Sequence, residues 1–277
     1  MRLFLMIFSF CFISYAKAPE LFLLKTYKDD MNVTGWVISE KYDGVRAFWN
    51  GKNLISRSGK IFSAPKGFIK DFPPFELDGE LWSSRGKLEE IVSIVNTKNI
   101  SSTNALNRWM SLRYMVFEVP NQNGNLFRRM GVLDEYLKKH KNTSIYPVEQ
   151  HLIHNKNDVK VFYTRLIQAN AEGVVIRNPY TDYYTGRTKK AVKYKPFMDA
   201  ECTVVSMIKG KGKFQDIMGS LLCDFNGKLI KIGSGFTDKE RQMIFKVGSL
   251  IRFKYYGLSS LGNPKYPVFI DIRNEMQ

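Results

Sequence analysis

The stretch Lys41-Tyr42-Asp43-Gly44-Val45-Arg46 decides how the rest of this 277-residue chain is read. The strand-like run Gly35 to Ser39 precedes it and Val45 to Trp49 reads as the next strand, so Lys41 stands between two strands beside an Asp-Gly turn signal. A free lysine has a pKa of about 10.4, which leaves roughly one in a thousand neutral at pH 7. To act as a nucleophile such an amine must be desolvated or set beside other cations. Cations are available downstream. In Ala191-Val192-Lys193-Tyr194-Lys195, strand alternation puts both lysines on one face, opposite Val192 and Tyr194. A face of that kind calls for an anion.

The complementary pattern is Phe75-Glu76-Leu77-Asp78-Gly79-Glu80-Leu81, where three carboxylates share one strand face and Leu77 and Leu81 point the other way. Carboxylates aligned in this manner repel one another unless cations or a metal lie nearby. Glu172-Gly173-Val174-Val175-Ile176-Arg177 adds a further carboxylate at the mouth of an apolar strand. Oxygen ligands of this kind suit magnesium, which takes one or two carboxylates together with phosphate oxygens and water. Singly, each element has a plain structural reading: Lys41 a surface lysine, Glu80 a strand-edge charge, Lys193 and Lys195 a solvated face. Their joint order is the signal.

That order resembles the ATP-dependent DNA ligases. Lys41-Tyr42-Asp43-Gly44-Val45-Arg46, Ser56-Arg57-Ser58-Gly59, Asp78-Gly79-Glu80, Tyr114-Met115-Val116-Phe117-Glu118, Glu172 to Arg177 and Val192-Lys193-Tyr194-Lys195 are similar, in sequence, to that family's motifs I, Ia, III, IIIa, IV and V. Further on, Lys209-Gly210-Lys211-Gly212-Lys213, Gly219-Ser220-Leu221 and Ile232-Gly233-Ser234-Gly235-Phe236-Thr237 resemble the OB domain of these enzymes. The overall pattern is most similar to the minimal, exported bacterial ligases of the E type. Pro267 to Arg273 resembles the start of motif VI, but Asn274-Glu275-Met276-Gln277 departs from the acidic-basic ending of the fuller pattern.

The resemblance implies an ATP-dependent DNA ligase that seals nicks in duplex DNA, using ATP and Mg²⁺ (or Mn²⁺). Lys41 matches the lysine that attacks the α-phosphate of ATP, forming lysyl-AMP and releasing pyrophosphate. Glu40, Arg46, Arg57, Glu80, Phe117, Lys193 and Lys195 are the expected nucleotide contacts. Among them Arg46 and Glu80 match residues at the ribose or the lysine loop, Phe117 the aromatic stacked on adenine, and Lys193 and Lys195 the pair on the α-phosphate. Glu80 and Glu172 match the carboxylates near the metal. Arg57, Lys209, Lys211, Lys213 and Arg273 are expected at nucleic acid, mainly on backbone phosphates, in a protein acting as a monomer. An RNA ligase or guanylyltransferase of the same superfamily, and a silent secreted nucleic-acid-binding protein, are the competing readings. Binding alone would need no carboxylates facing a phosphate site. An NAD-dependent ligase fits less well, since Pro19 to Lys41 leaves no room for a nicotinamide-binding domain and the cysteines are too few for a zinc module.

Bulk properties agree with an anionic partner: Lys and Arg number 42 against 26 Asp and Glu, a net charge of +16. Met1-Arg2, the apolar run Leu3 to Tyr15 and Ala16-Lys17-Ala18 have the order of a signal peptide, and the run is shorter than the roughly 20 residues a spanning helix needs. Residues 1–18 are thus expected to be cleaved, giving a periplasmic or secreted protein that does not stay in the membrane. Cys202 and Cys223 are then the cysteines left, read as buried thiols rather than a disulfide framework. The fold class expected is α+β: a nucleotidyltransferase (adenylation) domain over 19–196, with helices at Leu88 to Val95, Gly131 to Lys139 and Asp158 to Ala169, then an OB-fold β-barrel over 197–277 with a helical stretch at Asp238 to Phe245. Pro196 marks the break.

Overall fold

In the computed structural model, which describes residues 17–259 and 261–273, the strands around Lys41 belong to two five-stranded sheets within a unit ending at Tyr194. Most of the expected signal segment and all of Asn274–Gln277 lie outside the described residues. The first unit runs β1 (Phe22–Thr26), β2 (Val37–Glu40), β3 (Val45–Trp49), β4 (Leu54–Ser56), β5 (Leu77–Trp82), α1 (Leu88–Asn96), α2 (Thr103–Met110), β6 (Arg113–Glu118), α3 (Leu126–Lys139), β7 (Ile145–Pro147), β8 (His151–Leu152), α4 (Lys156–Gln168), β9 (Val174–Arg177) and β10 (Gly186–Tyr194).

One sheet has the order β1-β10-β9-β2-β8, the other β4-β3-β5-β6-β7. Each has its own core. In the second sheet Ala47, Trp49, Leu77, Leu81, Tyr114 and Val116 pack against Ile91, Ile94, Trp109, Leu126, Met130 and Leu133 from α1, α2 and α3. In the first, Ile38, Val174, Ile176 and Val192 pack with Val159 and Leu166 of α4. Each such side chain contributes about 1.5–3 kcal/mol by leaving water. Strand alternation then places Arg46, Asp78, Glu80 and Phe117 on the face of the second sheet turned away from its helices.

Several bounds differ from expectation for identifiable reasons. Helix α3 starts at Leu126 instead of Gly131, because Asn125 caps it by accepting from Arg128 N at 3.0 Å. Helix α2 was not expected; Ser102 caps it, accepting from Ala105 N at 3.2 Å. Strand β10 begins at Gly186, ahead of Ala191, because its first residues pair in parallel with β1.

The second unit, from Lys195 onward, contains β11 (Met198–Lys209), a 3₁₀ turn (Gly212–Phe214), β12 (Met218–Phe225), β13 (Lys228–Ile232), α5 (Asp238–Gln242), β14 (Leu250–Tyr255) and β15 (Val268–Ile272). The strand order is β13-β12-β11-β14-β15. The long β11 pairs with β14 through Met198–Thr203 and with β12 through Thr203–Lys209, its register slipping between Val204 and Ser206. The two outer strands meet where Ser234, just past β13, bridges Val268, and Phe269 N donates to Ser234 O at 2.8 Å, so the sheet curls into a barrel.

Leu221, Ile232, Ile251, Phe253 and Phe269 fill the barrel together with Cys202 and Cys223, which are unbridged thiols. Gly235 has φ +98°, and a Cβ there would overlap the carbonyl of Phe269, so both conformation and space require glycine. The next residues form a capping box for α5, with Thr237 N donating to Glu240 Oε2 at 2.6 Å and Glu240 N to Thr237 Oγ1 at 3.2 Å. This helix ends at Gln242, short of the expected Phe245, whose ring instead turns into the barrel against Phe236 and Phe269. Among the described residues no helix is long and apolar enough to cross a membrane.

Candidate active site

Lys41 follows β2 directly, and its backbone N–H donates to Gly173 O at 3.0 Å, which brings the chain ahead of β9 alongside it. This contact delivers Glu172. Lys41 Nζ donates to Glu172 Oε2 at 2.7 Å, with the two side chains 23% and 15% exposed. Glu80, from β5 of the other sheet, is the next carboxylate. Burial, with Glu172 and Asp78 adding to it, pushes its pKa up to about 8 in spite of Lys41 and Arg46. One of the two carboxylates beside Lys41 is therefore held neutral near pH 7.

The charge around Lys41 corrects an expectation. Its neighbours were to be cations that depress its pKa; burial does act in that direction, but Glu172, Glu80 and Asp43 outweigh it and the pKa is raised. Lys193 sits on β10, with β9 between that strand and β2. Lys195 belongs to the second unit, where its ammonium lies 5.6 Å from the Tyr256 ring centroid and 5.9 Å from that of Tyr266.

Gly44 of the opening motif meets β5 at close range: a Cβ would overlap Leu81 O and come within 3.0 Å of Glu80 Cγ. Two residues later, Arg46 forks the fully buried Asp78, Nε to Oδ1 at 3.0 Å and Nη2 to Oδ2 at 2.6 Å, while Nη1 donates to Phe22 O at 3.0 Å. Burial keeps the Asp78 pKa raised even against this partner. Of the three aligned carboxylates, Asp78 thus has arginine as its cation, and Glu76 falls before the strand begins. The Arg46 guanidinium also lies 4.9 Å from the Phe22 ring and 5.4 Å from Phe117. Phe117, the expected adenine platform, meets Phe22 edge to face at 5.8 Å.

Beneath Phe117 is a buried ion cluster that sequence reasoning missed. Glu118, with no exposure, accepts from Arg129 Nε at 2.8 Å and Nη2 at 2.9 Å, from Val119 N at 2.9 Å, and from Arg177 Nη2. Arg177 Nη1 in turn donates to Phe117 O at 2.8 Å. Burial would raise the Glu118 pKa, yet Arg177 and Arg129 lower it. A signal for Arg129 exists in the sequence: it shares a helical stripe with the buried Leu126, Met130 and Leu133.

The remaining expected residues are placed as follows. Glu40 gives both oxygens to Arg85, Nε at 2.9 Å and Nη2 at 2.8 Å. Arg57 is exposed in a turn held by Gly59 N to Ser56 O at 2.9 Å and Lys60 N to Ser56 Oγ at 2.9 Å. Lys209, Lys211 and Lys213 are exposed in the second unit around the 3₁₀ turn. That turn is anchored: Phe214 stacks on the buried Arg241 at 4.4 Å, and Arg241 donates to Met218 O, Gly219 O and Gly233 O at 3.1, 2.9 and 2.8 Å. Arg273 is ion-paired, Nε to Glu201 Oε1 at 2.5 Å.

A half-buried lysine against two carboxylates, with an arginine-capped aromatic nearby and a basic barrel domain following, has counterparts among known proteins. Residues 22–195 match the family model described as ATP dependent DNA ligase domain, and residues 209–273 the DNA ligase OB-like domain. A DNA ligase of Haemophilus influenzae is 42% identical over 250 residues, covering 90% of this chain and 91% of that one. A solved structure from a structure–function analysis of Lig E DNA ligases superposes with a TM-score of 0.81 at 34% identity, covering 92% of this chain and 99% of the other. The Chlorella virus DNA ligase–adenylate shares the fold, with a TM-score of 0.54 at 23% identity over 94% of this chain and all of that one. Both signature domains are present in order and the identity spans nearly the whole of both chains, so the chain belongs to the minimal ATP-dependent DNA ligases.

Proposed function

We propose that this ligase seals nicks in duplex DNA through lysyl-AMP on Lys41. The observation that carries this reading is the 2.7 Å contact of Lys41 Nζ with Glu172 Oε2, with Glu80 close by, on the side where Arg46 and Phe117 also lie. In the first step Nζ bonds to the α-phosphorus of ATP as the bond to the pyrophosphate oxygen breaks. Glu172 is the hydrogen-bond acceptor facing the proton that Nζ must shed. Phe117 offers the adenine a ring face. Lys193 and Lys195 are assigned to the α-phosphate, and Arg57 to the phosphates or the nick.

AMP then passes from Lys41 to the 5′-phosphate of the nick, regenerating the amine. The adjacent 3′-hydroxyl attacks that phosphorus and AMP leaves. Lys209, Lys211 and Lys213 are assigned to duplex phosphates, which position the DNA without reading its sequence. Arg273 joins them on exchanging its Glu201 partner.

The donor set fits a divalent ion. Glu80 held neutral against Glu172 marks a place short of positive charge, and among the described residues no group of three or more acidic, His or Cys side chains could form an all-protein cage. Glu80 and Glu172 with phosphate oxygens and water match magnesium or manganese. When bound, such an ion neutralises phosphate charge as pyrophosphate departs. Export to the periplasm or medium is proposed from residues 1–18 and is checked by the N-terminal mass of envelope-recovered protein.

The test of the whole reading is incubation with α-labelled ATP and Mg²⁺, followed by denaturation. Label stays on the wild-type protein and is absent from Lys41→Ala; when a nicked duplex is added before denaturation, the label leaves the protein and is released as AMP while the nick is sealed. Equal labelling of Lys41→Ala would remove the assignment.

A further inference from the structure

The arginine at position 85 matches no motif above, yet it joins the two chain segments that carry the reactive pair. It lies between β5 and α1, two residues after which the helix-leading Lys87 begins the next turn. Its Nε and Nη2 bind both oxygens of Glu40 at 2.9 and 2.8 Å, and Glu40 is the residue before Lys41. Its Nη1 donates to Ala169 O at 3.0 Å, at the end of α4, three residues before Glu172. The linker from Ala169 to Glu172 turns through Asn170 at φ +59°, tied back to α4 by Asn170 N to Ile167 O and Ala171 N to Leu166 O, both at 2.9 Å, and is followed by Gly173 at φ +148°. Beyond those turns, Arg85 ties one end of it to the residue before Lys41, and Lys41 N to Gly173 O ties the other.

We infer that Arg85 is a positioning residue for self-adenylation, clamping the Lys41 and Glu172 segments in register through Glu40 and the Ala169 carbonyl. The inference rests on Lys41 being the nucleophile. It also changes the role of Glu40, whose two carboxylate oxygens serve Arg85 rather than the nucleotide. The planar fork matters, because Nε and Nη2 take the carboxylate side by side while Nη1 reaches a second segment; an ammonium offers one point of attachment. Misplacing a reacting group by about 1 Å lowers rates on the order of 100-fold.

Single-turnover self-adenylation of the full chain, measured across ATP concentrations, tests this beside sealing of a chemically pre-adenylated nicked duplex, which bypasses attack by Lys41. Arg85→Ala and Glu40→Gln are expected to lower the maximal adenylation rate by about 10- to 100-fold. Half-saturating ATP and the rate on pre-adenylated nicks should stay within about twofold of wild type, since neither reads the placement of Lys41 against the α-phosphate. Arg85→Lys restores little, and the exchanged pair Glu40→Arg with Arg85→Glu restores part of the rate. A raised half-saturating ATP at unchanged maximal rate would make Glu40 a nucleotide contact and overturn the inference. So would a parallel fall on pre-adenylated nicks, which signals general damage, or wild-type adenylation in Arg85→Ala. Failure of the wild-type protein itself to take label would instead remove the Lys41 assignment.

Discussion

Replacing Glu80 by glutamine should make the ligand-free protein more stable, and increasingly so as the pH rises. The folded protein holds the Glu80 proton up to about pH 8, against an ordinary value of 4.5. A carboxyl with a raised folded pKa binds its proton more tightly in the folded state than in the unfolded chain. Its stabilising contribution is therefore complete below 4.5 and is lost as pH climbs through the interval to about 8. Linkage between those two values gives a loss of up to about 3 kcal/mol at pH 7 and about 4–5 kcal/mol at pH 9. Glutamine cannot ionise and keeps the shape, so the variant escapes the loss. The assay is urea unfolding at pH 5, 7 and 9 followed by tryptophan fluorescence, which reports the first unit alone because Trp36, Trp49, Trp82 and Trp109 all lie there and the chain has four tryptophans. The stability gap between variant and wild type should widen by several kcal/mol from pH 5 to pH 9. A gap that stays constant within about 1 kcal/mol would mean that Glu80 is ionised throughout and that the charge deficit beside Lys41 does not exist.

Other consequences follow from the same geometry. Mg²⁺ should raise the unfolding midpoint at pH 8 for the wild type and leave Glu80→Gln nearly unmoved, as fluorescence during a metal titration would read. Glu118→Gln strands Arg129 and Arg177 in the interior and should cost about 3–5 kcal/mol by denaturant unfolding; a change below about 1 kcal/mol would mean that water reaches the cluster. Converting Lys209, Lys211 and Lys213 together to alanine should leave self-adenylation intact while flattening the dependence of log nick affinity on log salt by about 2.7, from about 0.9 for each lost phosphate contact. An unchanged slope in a binding titration would place DNA elsewhere on the chain.

The strands that carry chemistry were legible because each combines β-branched or aromatic residues with charges at alternate positions: Val45–Trp49 was read with its observed bounds, and Leu77–Trp82 was placed to within two residues. Charge pairing was not legible, because it depends on which strands become neighbours. Lys41 was matched with cations, yet the carboxylates carried in by β5 and by the segment ahead of β9 raise the pKa of the amine. Arg85 was invisible for a different reason. Its partner Glu40 lies 45 residues away, and nothing local separates an arginine that binds a carboxylate from one that meets solvent. The helices α2 and α3 were missed or shortened where the decisive residues were Ser102 and Asn125, single polar caps that outweigh weak helical periodicity.

The close approach of Gly44 to β5 separates two kinds of selection that mutational libraries normally mix. Any larger residue there collides with the Leu81 carbonyl and pushes on the stem of Glu80, whether or not the protein is asked to catalyse anything. A library randomised over residues 41–46 and sorted only for correctly folded protein should therefore recover glycine at 44 while allowing wide variety at 41. The same library sorted for ligation should recover both lysine and glycine. Within one short signature, then, some letters record chemistry and others record the width of a gap between strands.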